Sequence, residues 1–443
     1  MKALFILLIG FACPAAALGE PARIEPQAVR ASSSSAKADV EVSTSASAPR
    51  GRRTLGLSEA YRLALRRSEE LSQQARSVEE AWARVDELWS AVKPAFSLKV
   101  GESYQDRDER GVPPLRRDKP QAQVALHQPL FSGLRDFLAV RVGRDQGRSA
   151  ELDLRRAQEL LYADVAAAYI DELGMMREIE IRRAVVDLTE DRVRELKERE
   201  RIGRSRKSEA LAAESLLAQN QADLKDALRR ERDAQLRLRF LTGLDDDLAC
   251  EDVALHPAGN LEEILESCRT RPDIEARRLD LESARRQTSI VRRGRWPVMS
   301  LDGNYYLRRL SPYDSVKWDL SVLGELPLYQ GGRVGAQTRQ AASRESIVEE
   351  SLGLSLRKAE LEVRAAYEEL QAILESVAAL EKAAQLAEAN SRAQAEDYRL
   401  GLVTNLDVLG ALTSLQQVRL RLDRARLDAR LARIRLDVAA GSI

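Results

Sequence analysis

The chain has 443 residues, 32% of them charged and only 5% aromatic, with a formal charge of zero. That length allows two or three domains, and the balanced charge gives no argument for a nucleic-acid partner. Arg, Ala, Leu and Glu dominate, a composition that favours long helices over a compact mixed core.

The start reads as an export signal: Lys2, an apolar run from Ala3 to Ala12, then the small residues Ala15-Ala16-Ala17. Residues 1–19 are expected to form a signal peptide. Cys13 raises the question of a lipid-modified cysteine, but Gly10 stands where the lipoprotein pattern wants Leu. No later apolar run approaches the ~20 residues of a membrane helix. Residues 20–53 are rich in Ser, Ala and Pro, with too few large apolar side chains to pack, and are expected to be a disordered tail.

Order begins at Leu57-Ser58-Glu59-Ala60, where Ser58 is read as a helix cap. Leu63, Val78, Trp82, Val85 and Trp89 fall on one helical stripe, and Pro94 ends the run. The period then changes to two. Phe96, Leu98 and Val100 alternate with Ser97, Lys99 and Gly101; after a charged loop, Gln105 to Pro120, the alternation resumes in Ala122, Val124 and Leu126. Each strand is about nine residues, the length of a tilted membrane strand. Beyond Pro129-Leu130-Phe131 the helical period persists to Arg201, about 100 Å of helix. Ile202-Gly203-Arg204-Ser205 breaks it, and Ser208 to Leu241 returns antiparallel. The return is shorter, so residues 57–93 are the expected partner of the long helix's first half.

An offset of 198 then brings the same plan back. Pro327-Leu328-Tyr329 falls on Pro129-Leu130-Phe131, Tyr367 on Tyr169, Gly401 on Gly203 and Asp407 on Glu209. Two copies of one unit are expected: residues 54–250 with a strand hairpin at 96–128, and residues 261–443 with a hairpin at 298–327, joined by a linker at 251–260. In the second unit Arg271-Pro272-Asp273 opens a helix. Met299, Leu301, Gly303 and Tyr305 form one strand face, against Ser300, Asp302 and Asn304; Trp318, Leu320 and Val322 alternate with Asp319 and Ser321. Tyr305, Tyr306, Tyr313 and Trp318 gather near the strand ends, as in an interfacial girdle. Gly331-Gly332 permits a tight passage into a helix that turns at Gly401-Leu402-Val403-Thr404 and returns to the C-terminus.

Little points to chemistry. His127 and His256 are isolated and lack metal-ligand spacing. Cys250 and Cys268 lie 18 apart; a disulfide and two free thiols both remain open. No nucleophile–base set or phosphate-binding loop stands out, so no enzyme and no cofactor are expected. Four strands cannot satisfy their backbones alone in lipid, and the smallest membrane barrels have about eight. Several chains must therefore share one barrel, in an outer membrane.

Five signatures occur in order: Leu57-Ser58-Glu59-Ala60, Pro129 to Gly133, Arg271-Pro272-Asp273, Pro327 to Arg333, and Tyr398 to Leu409. On these the chain, over about residues 54–441, resembles the TolC-like outer-membrane efflux proteins. The resemblance implies a mainly α fold of duplicated long helical hairpins forming an α-barrel, with four strands per chain in a trimeric twelve-stranded β-barrel. It implies an exit duct of a tripartite efflux or type I secretion system, working with a periplasmic adaptor and an inner-membrane pump. The adaptor-facing tips would be Ile202, Gly203, Arg204 and Ser205, and Gly401, Leu402, Val403 and Thr404. Tyr398 and Asp407 match positions that hold such a tunnel closed, although Val403 replaces the usual Arg between them and Gly410 a further acidic residue. The competing reading is a periplasmic coiled-coil structural or adaptor protein, which would lack four membrane-length strands at repeated positions. Nothing in the residues names the cargo.

Overall fold

The computed structural model describes residues 53–104, 118–203, 205–245, 248–257, 259–309 and 315–442. The expected signal peptide, the tail up to residue 52, most of the 105–120 loop, Arg204, Asp246, Asp247 and Tyr313 lie outside the described residues. In chain order the elements are β1 (Arg53–Leu55), α1 (Leu57–Arg67), α2 (Glu69–Ser90), β2 (Ala95–Tyr104), β3 (Asp118–Phe131), α3 (Arg135–Arg201), α4 (Lys207–Thr242) and β4 (Leu248–Cys250). Then follow α5 (Leu261–Cys268), α6 (Pro272–Arg292), β5 (Val298–Arg308), β6 (Trp318–Glu325), α7 (Arg333–Arg399) and α8 (Asn405–Ala440).

The duplication appears in the element bounds. The two long helices, α3 and α7, have 67 residues each, and the two return helices, α4 and α8, 36 each. Both pairs start and stop 198 residues apart. A 67-residue helix is about 100 Å long, roughly twice its return partner. Shorter helices cover the remainder: α2 and α6 lie on α3, and α6 also lies on α7.

The contact of α2 with α3 is close because two glycines allow it. A Cβ on Gly147 would stand 3.1 Å from the Trp82 ring, and one on Gly143 only 2.7 Å from Leu88 Cδ1. The stripe read from the sequence is the packed face, with Val85 buried and Trp82 donating its indole N–H to Glu151 at 2.8 Å. Two local details differ from expectation. Gly56, not Ser58, precedes the first helical residue and makes no side-chain cap. The helix also divides at Ser68, whose hydroxyl accepts from the Leu71 N–H.

Two apolar clusters hold the helices together. In the first, Leu55, Val165, Tyr169, Ile170 and Leu238 of the first unit meet Leu427, Ile434 and Val438 of α8. In the second, Cys268, Ile274, Val363 and Leu370 meet Ala432, Leu436 and Ala439, again of α8. Burying each such Leu or Ile contributes about 1.5–3 kcal/mol. The Tyr169 hydroxyl lies 2.6 Å from the Leu55 carbonyl and 2.9 Å from that of Glu251. It thereby fastens the short parallel pair β1–β4, which three-residue strands gave no alternation to reveal.

The end of α8 is closed by two buried arginines. Arg156 donates to the Val438 carbonyl at 2.6 Å, and Arg271 to that of Ala439 at 3.1 Å. Both cations are compensated, Arg156 by Glu159 and Arg271 by Asp273 and Glu362, as burial of charge requires. Cys250 and Cys268 are free thiols. Burial and the nearby Glu172 carboxylate push the Cys250 thiol up to about 12, and burial also raises that of Cys268.

Candidate functional site

The four longer strands form one antiparallel sheet in the order β2-β3-β5-β6, so the hairpins of the two units lie side by side. Their registers align the alternation predicted for each strand. Phe96, Leu126, Gly303 and Leu320 form one cross-strand row, and Leu98, Val124, Tyr305 and Trp318 the next. These residues share one face of the pleat. That face is apolar yet open: Phe96 is 71% exposed, Leu98 64% and Leu320 57%. In water such a surface is unfavourable by about 25 cal/mol per Å².

The opposite face is a hydrogen-bonded polar lattice. His127 Nδ1 lies 2.6 Å from Asp302 Oδ1, and the Ser300 hydroxyl donates to Asp302 Oδ2 at 2.6 Å. Gln123 donates to Asn304 at 3.2 Å, and Asn304 to Asp319 at 2.9 Å. His127 stands isolated in the sequence; in the sheet it has a carboxylate partner 175 residues away. Strands β2 and β6 each pair on one side only among the described residues, leaving both edges of the sheet open.

Aromatic residues mark both ends of the strands. Tyr305 faces Trp318 at one end. At the other, Phe131 stacks on Trp296 with ring centroids 6.4 Å apart, and Tyr329 is 88% exposed. No helix among the described residues is long and apolar enough to cross a membrane.

At the far ends of the long helices the chain turns twice, through Gly203 (φ 72°) and Gly401 (φ 78°), where glycine avoids the left-handed penalty. The two turns differ. Beside Gly203, Ile202 is exposed and the Ser205 hydroxyl donates to Glu209 at 2.7 Å. Beside Gly401, Leu400, Leu402 and Leu406 are all exposed and Val403 is half-buried. Thr404 and Asp407 close a capping box: Asp407 Oδ2 accepts from the Thr404 N–H at 2.8 Å and from its hydroxyl at 2.6 Å. Hydrogen bonds from the Thr404 hydroxyl and N–H hold the Asp407 carboxyl below its ordinary value.

Tyr398 is engaged elsewhere. The Arg192 guanidinium lies 4.3 Å over its ring and that of Arg199 5.2 Å, and Arg199 donates to the Tyr398 hydroxyl at 3.3 Å. Arg192 also donates to the buried Asn405 side chain at 2.8 Å and to Glu195 at 2.6 Å. One arginine of α3 therefore joins α7 and α8 just above the turns. Arg192, Arg199 and Asn405 were not singled out from the sequence. The signal was present, because Arg192 and Arg199 are seven apart and so share a helix face. The offset of 198 also sets Arg199 level with Asp397, beside Tyr398. A groove of about 460 Å³ lies above the turns between α4 and α8, lined by Ala212, Leu216, Leu409 and Gly410 among others.

Among the described residues no cluster of three His, Cys, Asp or Glu could hold a metal ion. A family model described as outer membrane efflux protein matches residues 60–244 and 264–442. The outer membrane protein TolC of Vibrio cholerae is 24% identical over 401 residues, covering 87% of this chain and 91% of that one. The crystal structure of VceC, an outer membrane protein of Vibrio cholerae, superposes with a TM-score of 0.76 at 21% identity, covering 87% of this chain and 96% of that one. CusC, studied crystallographically for its folding and transmembrane channel formation, gives 0.77 at 19% identity, covering 87% and 92%.

Proposed function

This chain belongs to the outer membrane efflux protein family, and from that membership we propose that three copies close their sheets into one twelve-stranded barrel standing on a tunnel of long helices. The protein is an exit duct of the bacterial outer membrane, with a helical periplasmic part. One observation carries the proposed assembly: a four-stranded sheet with an open apolar face and two open edges. In lipid every strand edge must be paired. Strand β6 of one copy runs antiparallel to β2 of the next when three sheets join, so the ring closes with the pairing the sheet already uses.

The apolar rows then face lipid and the polar lattice faces the lumen. The helix turns point into the periplasm. Ile202, Gly203, Arg204 and Ser205, together with Gly401, Leu402, Val403 and Thr404, meet a periplasmic adaptor that links the duct to an inner-membrane pump. The exposed Leu400, Leu402 and Leu406 support that reading, as does the apolar groove between α4 and α8. Tyr398, clasped by Arg192 and Arg199, and Asp407, which holds the second turn in shape, belong to the closed inner end. The duct itself performs no reaction and takes no nucleotide or cofactor; the pump supplies energy and selects cargo for efflux or secretion.

Heat-modifiable trimers in the outer-membrane fraction are the expected result. A water-soluble monomer after removal of the first 19 residues would overturn the proposed assembly.

A further inference from the structure

We infer that the His127–Asp302 pair is a protonation switch that sets how strongly the barrel lumen prefers cations. This rests on the proposed closure of the sheet, which turns the polar face inward. The pair spans β3 and β5 at 2.6 Å, and the Ser321 hydroxyl on β6 reaches the Asp302 backbone carbonyl at 3.4 Å. The charged groups facing it come from the flanking strands. By register, β2 contributes Lys99, and β6 contributes Asp319 and Glu325; Arg309, 4.1 Å over the Tyr306 ring, stands beside Asp319.

With the imidazole neutral, these residues and Asp302 give each copy a net charge of −1 around the pair; with the imidazolium formed, the charge is zero. Three copies apply the change together, so protonation adds three positive charges to this ring of the lumen. Asp302 compensates the imidazolium at contact distance, so the new charge forms without an unpaired cation on the wall. The apolar rows on the other face carry no charge at the same levels, and nothing on the lipid side offsets the change.

The test places a thiol beside the pair. Ser321→Cys in the full-length trimer is reacted with a trimethylammonium and with a sulfonate methanethiosulfonate, and the ratio of the two rates is taken at pH 9 and pH 5. The ratio cancels the thiol's own ionisation. The unsubstituted chain, with Cys250 and Cys268, serves as the blank. The ratio in favour of the cationic reagent is expected to fall about twofold from pH 9 to pH 5, as the one charge two strands away, at about 10 Å in salt water, implies. In Ser321→Cys combined with His127→Gln it stays constant.

The reversal potential of wild-type trimers in a planar bilayer should lose cation preference over the same interval, and that of His127→Gln should not. Labelling with the same pH response in both proteins overturns the switch while leaving the duct intact. A cysteine at 321 that neither reagent reaches overturns the inward assignment of this face, and the switch with it.

Discussion

Leu134 is held in the left-handed region (φ 60°), where a side chain is strained. It starts α3 at the position that Gly332 (φ 78°) occupies before α7. Leu134→Gly should therefore stabilise the protein by about 1 kcal/mol. The check is a higher midpoint for heat conversion of trimers to monomers in detergent. Arg192 presents the opposite case, since one guanidinium serves three helices. Arg192→Ala leaves the buried Asn405 side chain without its donor and should destabilise the clasp by about 1–3 kcal/mol. A higher mean conductance in planar bilayers, with trimers retained, would show that this clasp keeps the inner end closed.

The limits of sequence reading at this scale follow from range. Asp407 bonds within its own turn, and its place at a helix N-terminus was legible. The partners of Tyr398 and His127 lie 199 and 175 residues away. Only the assembled helices and sheet bring them together.

At the scale of elements, the second turn depends on its cap. The Asp407 carboxyl is held below its ordinary value, so its contribution is complete above that ordinary value. The contribution is lost as the pH falls through the lowered one. Protection of the 405–409 amides, relative to their intrinsic exchange at each pH, should therefore fall in acid in the wild type; in Asp407→Asn it should be low already at neutral pH and change little on acidification. The first turn differs in charge, with Arg201, Arg206 and Lys207 exposed. If an acidic adaptor surface reads them, Arg206→Glu combined with Arg204→Glu will reduce adaptor crosslinking and leave trimers intact.

Element bounds were largely legible because long amphipathic periods average over many residues. The long and return helices start and stop within about three residues of the change in period. The division at Ser68 was missed because the apolar stripe runs through it. The β1–β4 pair was missed because three residues cannot display a period of two.

For the whole molecule, the lateral faces matter most. On α7, Ile347, Leu354 and Leu361 recur every seven residues and are exposed, at 67%, 46% and 66%. A heptad stripe of this kind seeks a second helix. Helix α7 follows β6, an open edge of the sheet, after seven residues, so on the proposed closure the stripe continues the line along which the next copy joins. Leu354→Glu with Leu361→Glu should abolish SDS-resistant trimers while the far-ultraviolet circular dichroism stays helical. The duplication, the exit-duct family and the two-faced strands were all readable from one chain, because each leaves a period or an offset in the residues. The proposed seam is harder to see, since an apolar heptad looks the same whether it meets its own chain or another.

The last helix has a consequence for biogenesis. Helix α8 gives Leu427, Ile434 and Val438 to one core and Ala432, Leu436 and Ala439 to the other, and two arginines wait for its final carbonyls. A polypeptide crossing the inner membrane N-terminus first can assemble α3 with α4 early, yet their shared wall stays unsealed until export is nearly over. A stop codon a few dozen codons early would leave both halves ajar, with their grease showing to proteases that patrol the cell envelope.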